Sequence, residues 1–467
     1  MGQSAAVREP SQRDWLTAAR ALASRAADEP AKRAYLDILR ADPACLEALL
    51  ELARLALRSG HRSAARTAYR QAIHCHPREP AARVNLANLL IESGEFAEAR
   101  DQLEAALADS PDLAAAHQGL ARALTGLGAG EAAQAHWARG FAAGWLAPQP
   151  YRGVGEGVPV LLLVSARGGN IPTRALLDDT VFAATALYAE FHDPAQPLPP
   201  HAAVFNAIGD ADLCGAALAA AQAIVARSSA PLINPPARVA KTTRAAVAAR
   251  LVAIPGLAAP TIRPTTRAAL LAAADLAFPI LVRSPGFHTG QHFVRVERRE
   301  DLAAAVAELP GDELLCIQPL DARGPDGLAR KYRVMLIGGA LYPLHLAISA
   351  HWKVHYFSAD MAERPDHRAE EASFLADMPA VLGPTAVAAL QAIGAALELD
   401  YAGVDFGLAP DGRLLLFEAN PGMVIQPPGP EPIWDYRRAA IARALAAVQA
   451  LLLAKAGAAR DSTDIDR

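Results

Sequence analysis

Gly403-Val-Asp-Phe-Gly407, followed by Leu414-Leu-Leu-Phe-Glu-Ala-Asn-Pro-Gly422, sets oxygen-bearing side chains near the ends of two strand-like runs. Leu414 to Phe417 is too apolar for a loop and reads as a buried strand. Asp411-Gly412 between the runs is a hairpin turn signal. Residues two apart on a strand share a face, so Glu418 and Asn420 point the same way, and antiparallel pairing brings Asp405 alongside them. Three hard oxygen donors suit Mg2+, which takes one or two carboxylates and completes its shell with water and phosphate oxygens. The same triplet also reads as a solvated hairpin with charged ends.

The 467 residues suffice for two or three domains. A formal net charge of −4 argues against a nucleic-acid partner, which calls for a basic field. No charged-then-apolar leader opens the chain, and no uninterrupted apolar run reaches bilayer length, so a cytoplasmic protein with no membrane partner is expected. Cys45, Cys75, Cys214 and Cys316 are scattered without metal-type spacing and read as reduced thiols.

The N-terminal third matches itself at a shift of 34 residues. Leu52-Ala53 recurs as Leu86-Ala87 and Leu120-Ala121, Gly60 as Gly94 and Gly128, and Ala65 as Ala99 and Ala133. Tyr69, Leu103 and Trp137 share one position; Pro43, Pro77 and Pro111 share another; Trp15, Ala31 and Tyr35 continue the frame backwards. Each unit reads as helix, Gly-centred turn, helix, ended by a Pro that cannot continue it. Period and pattern resemble the tetratricopeptide repeat family, in about four units over residues 12–147. The resemblance implies a concave surface for a peptide or protein partner; the alternatives are that the repeats form a homodimer or brace the next domain.

Ala147 to Gly157 is rich in Pro and Gly and reads as a linker over 148–157. Its Gly153, Gly155 and Gly157 precede a strand rather than follow it, which disfavours a dinucleotide loop. Beyond it, strand Val158–Ser165, a helix from about Thr173 to Phe191, strand Ala202–Phe205, helix Gly215–Arg227 and strand Leu232–Asn234 make a β-α-β-α-β run with a parallel sheet. Ligands of such sheets sit at the carboxyl ends of strands, where Gly168, Gly169, Asn170 and Asn206 fall; ordinary turn chemistry explains them equally.

Lys241 opens the next expected helix. Phe278-Pro-Ile-Leu-Val-Arg-Ser-Pro-Gly-Phe-His-Thr-Gly290 then reads as strand and Gly-bearing turn, closed by strand His292–Val296. Backbone N–H groups around Ser284, Gly286 and Gly290 would lie over phosphates, with Arg283 as a charged contact. Leu314 to Leu320 is another buried strand, whose end Gln318-Pro319-Leu320 would form a hinge against an adenine edge. Lys331 and Arg333 share one face of the following strand, and two buried cations need anionic partners.

This order of elements resembles the ATP-grasp superfamily over residues 158–450, most closely its glutathione synthetase and ribosomal-S6-modification type. The fold it implies is multidomain: an all-α tetratricopeptide solenoid (12–147), a linker (148–157), an α/β pre-ATP-grasp domain (158–240), an α+β ATP-grasp domain (241–455) and a flexible tail (456–467). The resemblance implies ATP and Mg2+ as cofactors. Asp405, Glu418 and Asn420 would hold the metal, and Arg333 the γ-phosphate and developing acyl phosphate. Lys241 and Arg283 would bind the α- and β-phosphates, with Gln318 to Leu320 meeting the adenine. Arg283 stands where many members have Lys, and Lys331 where many have Asp, which suggests a more anionic ligand. The implied activity is ADP-forming ligation of a small-molecule or peptide carboxylate to an amine or thiol. The alternatives are a graspetide-type macrocyclase, or a non-catalytic repeat scaffold in which ATP sets conformation.

Tyr342 to Ser358 reads as the substrate wall. On one continuous strand His345, Ser349, His351, Lys353 and His355 share a face; Lys353 would bind a carboxylate, and His345 or His355 would take a proton from an attacking amine. A half-exposed polar strand, or a His-metal site, reads the same residues differently. The charged run Asp360 to Glu371 reads as a lid or a solvated loop.

Overall fold

The computed structural model describes residues 11–24, 28–142, 144–287, 290–356, 359–429 and 431–464. The chain divides between Trp145 and Leu146 into two units.

Among its described residues the first unit has eight helices in four successive pairs: α1 (Gln12–Ser24) and α2 (Asp28–Ala41), α3 (Leu46–Arg58) and α4 (Arg62–Cys75), α5 (Pro80–Glu92) and α6 (Phe96–Asp109), α7 (Ala114–Gly126) and α8 (Gly130–Phe141). Gly60, Gly94 and Gly128 occupy the turns within pairs at φ of 79°, 78° and 78°. A side chain there would meet the left-handed penalty, which is why the 34-residue period is anchored on glycine. Ala65, Ala99 and Ala133 are buried, as are Tyr69, Leu103 and Trp137 four residues on. Small and large residues thus alternate along the second helix of each pair, as close helix approach requires. Trp15 departs from the expected frame: it is exposed, and Leu16 takes the buried place beside it.

The second unit opens with a five-stranded sheet of β1 (Leu146–Pro148), β2 (Val158–Val164), β3 (Phe182–Tyr188), β4 (Ala203–Asn206) and β5 (Leu232–Ile233), in the order β1-β3-β2-β4-β5. The last four strands are parallel, and β1 runs antiparallel to β3. Two expectations are corrected here. The start of the expected linker is strand β1, and Arg152 beyond it pairs with Asp179. The expected helix 173–191 is instead a turn followed by β3. Asp178 accepts from the N–H and hydroxyl of Thr180 at 2.9 and 2.7 Å, and the chain then enters the sheet with Phe182, Ala184 and Ala186 buried on alternate positions. Pairing on both edges overrides the helical preference of an Ala-rich run.

Helices α9 (Gly215–Val225), α10 (Pro236–Val239) and α11 (Arg244–Leu251) lead to β6 (Leu257–Ala258) and β7 (Ile262–Thr266). Helix α12 (Arg267–Ala272), β8 (Ile280–Arg283), β9 (Phe293–Val296), α13 (Leu302–Ala307) and β10 (Glu313–Ile317) follow, and β7-β10-β8-β9 form an antiparallel sheet. The third sheet has the order β12-β11-β13-β14-β6, with β11 (Ala329–Ile337), β12 (Ala340–Ser349), β13 (Tyr401–Leu408) and β14 (Leu414–Asn420). Helices α14 (Pro365–Ala376), α15 (Met378–Leu397) and α16 (Asp435–Asp464) complete the chain.

Period-2 alternation on β11 organises this unit. Tyr332, Val334 and Leu336 pack with the core residues of α14 and α15. Met335 and Ile337 pack instead with the first sheet and α16. Lys331 and Arg333 have the parity of this second face. Asn234, fully buried at φ 56°, joins the first and third sheets: its amide donates to Tyr401 O at 2.8 Å and accepts from Tyr401 N at 2.9 Å. Asn206, expected at a ligand position, is also fully buried and donates to Asn234 O.

Three further expectations change. The segments Met378–Leu397 and Pro432–Gly457 are, by length and composition, long and apolar enough to cross a membrane. In this structure each lays one face on a core, through Leu390 and Ile393 in one case and Ala444 and Leu452 in the other. The tail expected over 456–467 continues α16 as far as Asp464, and residues 465–467 lie outside the described residues. The charged run 360–371 is no simple lid or loop, since from Pro365 it is α14 and its Glu371 is fully buried.

Thr243 caps α11, its hydroxyl accepting from Ala246 N at 3.3 Å. Thr243→Ala is expected to cost about 1 kcal/mol, read as a lower urea midpoint for the second unit.

Candidate active-site cleft

A cleft of about 1770 Å3 opens in the second unit, lined by strand residues of the second and third sheets and by the loops that follow β2 and β4 of the first. Ordinary small-molecule sites occupy roughly 300–1000 Å3, so this one has room for two ligands side by side.

Its floor is the hairpin β13–β14. Asp405 stands opposite Glu418, and Gly403 opposite Asn420. On β11, Arg333 stands opposite Asp405 on one side and His345 on the other. Register shifts fall between Asp405 and Phe406 and between Arg333 and Val334. Irregularities of this kind re-aim side chains beside a site. Glycine flanks Asp405 because the neighbours leave no room: a Cβ on Gly403 would lie 2.5 Å from Met423 Cγ, and one on Gly407 2.5 Å from Ala322 Cβ.

Asp405 is 3% exposed, and both its oxygens are held. Arg333 Nε donates to Oδ1 at 2.6 Å, and Arg333 Nη2 and Lys331 Nζ donate to Oδ2 at 2.9 and 3.0 Å. Burial alone would raise its pKa, but the Arg333 and Lys331 charges prevail and hold the carboxyl well below the usual range. Glu418 accepts from Arg244 Nη2 at 2.5 Å and from Asn420 Nδ2 at 2.7 Å. The donor set is thus two carboxylates and an amide on one hairpin. Among the described residues no group of three or more His, Cys, Asp and Glu stands ready for a metal. Two carboxylates plus an amide fit Mg2+, which needs few protein ligands, rather than zinc. An arriving phosphate would give Arg333 and Lys331 another anion and free Asp405 to share a metal.

Arg283, at the end of β8, is 8% exposed and lines the cleft. Its guanidinium lies 5.3 Å from the Phe293 ring centroid and donates to Phe287 O, while its Nε is a buried donor without a hydrogen-bond partner. Among the described residues no carboxylate forms an ion pair with it. Burial, with the Arg244 charge nearby, pushes it down to about 10. A buried cation without an anion is costly, and the cleft is where an anion would enter.

Other expected site residues separate. Gln318, Pro319 and Leu320 line the cleft, though Gln318 N–H is taken by Thr261 O at 2.9 Å. Lys241 does not line it: it is exposed in the turn between α10 and α11, and Arg244, three residues on and with its side chain only 9% exposed, supplies the cation there. Ser284 is committed elsewhere, donating its hydroxyl to Pro310 O at 2.7 Å and its N–H to His292 O. Gly290 borders the cleft and Gly286 does not; His288 and Thr289 between them lie outside the described residues. Gly169 and Asn170 reach the cleft, but both ends of the Asn170 amide are bonded to the Ser165 backbone.

The wall 342–358 is not one strand. Strand β12 ends at Ser349 and the chain turns, so Lys353 and His355 reach the cleft from a loop; Phe357 and Ser358 lie outside the described residues. Lys353 is exposed and donates to Gly290 O and Phe293 O at 3.2 and 3.3 Å, tying the wall to the β8–β9 hairpin. His345 is buried against the Tyr356 ring, and burial with the Arg333 charge drives its pKa well below the usual value. It is a neutral ring that holds an added proton poorly, which weakens its expected role as a base. Arg437, which no local pattern marks, also lines the cleft.

Comparison with known families adds one observation on the first unit. Two tetratricopeptide repeat models match, one at residues 29–80 and 50–114 and the other at residues 90–143. The N-terminal region carries tetratricopeptide repeats. Tetratricopeptide stacks present an extended concave surface, so protein–protein interaction is the role these repeats indicate. No curated protein matches the chain. Among solved structures, the crystal structure of MamA is 22% identical over 27% of this chain and 72% of that one, with a TM-score of 0.25. The Pseudomonas aeruginosa pilF structure is 20% identical over 28% of this chain and 59% of that one, with a TM-score of 0.26.

Proposed function

We propose that the second unit is an ADP-forming ligase of ATP-grasp type, joining a carboxylate to an amine or thiol, and that the repeats recruit a peptide or protein substrate to it. The observation that carries this reading is Arg283, a buried guanidinium with which no carboxylate among the described residues forms an ion pair, facing a cleft that also holds Asp405, Glu418 and Asn420.

In this reading a substrate carboxylate oxygen attacks the γ-phosphorus, the bond to the β-phosphate oxygen breaks, and ADP leaves. The amine or thiol then attacks the acyl carbon, gives up its proton, and expels phosphate. Arg283 and Arg244 bind the phosphate chain, and Arg333 exchanges Asp405 for the transferring phosphoryl group. A bound Mg2+ would supply charge neutralisation on the phosphates. No protein nucleophile is required.

Arg283→Met tests the site. Losing one charge-assisted contact is expected to weaken ATP binding by about 10- to 100-fold, measured by displacement of a fluorescent ATP analogue. Thermal stability should hold or rise, because a buried unpaired charge is removed. Unchanged affinity would take Arg283 out of the nucleotide site.

One observation favours the scaffold reading: both Asp405 oxygens are occupied by cations. Glu418→Ala separates the two, since a scaffold keeps its function in this variant and a ligase does not.

A further inference from the structure

We infer that Arg437 is a second anion anchor in the cleft, holding a carboxylate of the non-nucleotide ligand, so that this ligand is an acidic small molecule or an acidic peptide. The inference deepens the ligase reading and rests on it for the ligand's role as substrate.

Arg437 lies on α16, is 8% exposed and lines the cleft. Its guanidinium carbon sits 4.2 Å from the Tyr356 ring centroid. Its Nε stands 3.2 Å from Glu371 Oε1, an ion contact not aligned for a hydrogen bond, so Nε is a buried donor without an acceptor. Glu371 takes its hydrogen bonds from others: Tyr436 OH at 2.5 Å, Tyr356 OH at 3.3 Å and Leu346 N at 3.4 Å. Glu371 therefore balances the Arg437 charge without taking a hydrogen bond from Nε, which is left an unmet buried donor. An unmet buried donor is costly, and a planar carboxylate entering from the cleft matches the guanidinium fork in two places.

Arg437 is separate from the phosphoryl end. His345 stands opposite Arg333 across β11–β12, and its ring centroid is 4.8 Å from that of Tyr356, on which Arg437 rests. Two side chains thus intervene between Arg333 and Arg437. Trp434, 6.4 Å from Tyr356 between ring centroids, adds an apolar wall. An anion at Arg437 belongs to the second ligand for which the cleft has room.

Calorimetric titration of the full chain with glutarate, with a short peptide ending in a free carboxylate, and with the same peptide amidated tests this. Wild type is expected to bind glutarate or the free-acid peptide at about 10 mM or tighter, and Arg437→Gln to weaken that binding at least about tenfold. Whichever probe binds separates the small acid from the peptide. The paired variant Glu371→Gln/Arg437→Gln leaves no buried charge unmatched, so it reports on binding if the single variant folds poorly. Affinity equal to wild type in both variants, or no carboxylate binding to wild type, overturns the assignment. Displacement of a fluorescent ATP analogue is followed in parallel. Arg437-dependent carboxylate binding without ATP binding keeps this site and removes the ligase reading; ATP binding without carboxylate binding does the reverse.

Discussion

Glu418→Gln is expected to lower ADP-forming turnover by about 10²- to 10³-fold, the scale for removing one group that stabilises transition-state charge. Glu418 is opposite Asp405 in the hairpin and is held by Arg244 and Asn420. Glutamine keeps an oxygen for Arg244 and the shape of the side chain but loses the negative charge that a divalent cation needs. Asp212, 3.5 Å from Arg244, still balances that cation, so the fold should be retained. Turnover is read as ADP released in the presence of the most active carboxylate and amine from a panel of amino acids, dipeptides and peptides. The same variant should lose the Mg2+ dependence of ATP binding. Full turnover with undiminished Mg2+ dependence would remove Glu418 from the site.

Asp405→Ala is expected to destabilise the second unit by about 3–5 kcal/mol, the usual cost of leaving buried charges without their partner. Arg333 and Lys331 both point at this carboxylate, and their side chains are only 19% and 14% exposed. The loss appears as a lower urea midpoint. Adding Arg333→Met should recover part of it, because one of the two stranded cations then goes. The pH dependence has a defined sign. The folded pKa of Asp405 is depressed far below its unfolded value. Its contribution is therefore fully present above about pH 4, where the unfolded carboxyl ionises, and fades as pH falls toward the folded pKa. The Asp405→Ala chain should show a smaller loss of stability between about pH 4 and pH 2 than wild type. A cost under about 1 kcal/mol would mark the cluster as no stronger than a surface ion pair.

The parts legible in the sequence are those written locally. Gly60, Gly94 and Gly128 repeat because one backbone conformation recurs, and Ala65 and Tyr69 recur with it because each repeat packs in the same way. The hairpin Asp405–Glu418–Asn420 was readable from turn chemistry and strand parity alone. The misreadings have physical causes of the opposite kind. Residues 182–188 carry an Ala-rich composition that favours helix, and only pairing with β1 and β2, distant in sequence, makes them a strand. Lys241 and Arg244 differ by three residues, and the helix start chooses which one faces the cleft. The shared face expected from His345 to His355 fails because β12 stops at Ser349. Arg437 meets Tyr356 and Glu371 from 81 and 66 residues away, and no spacing rule reaches across such separations.

Equilibrium titration of the full chain with ATP, with and without Mg2+, tests the central claim most directly. One saturable site per chain is predicted, tightened by Mg2+ and weakened in Arg283→Met. Absence of saturable binding, or binding indifferent both to Mg2+ and to Arg283, would contradict it.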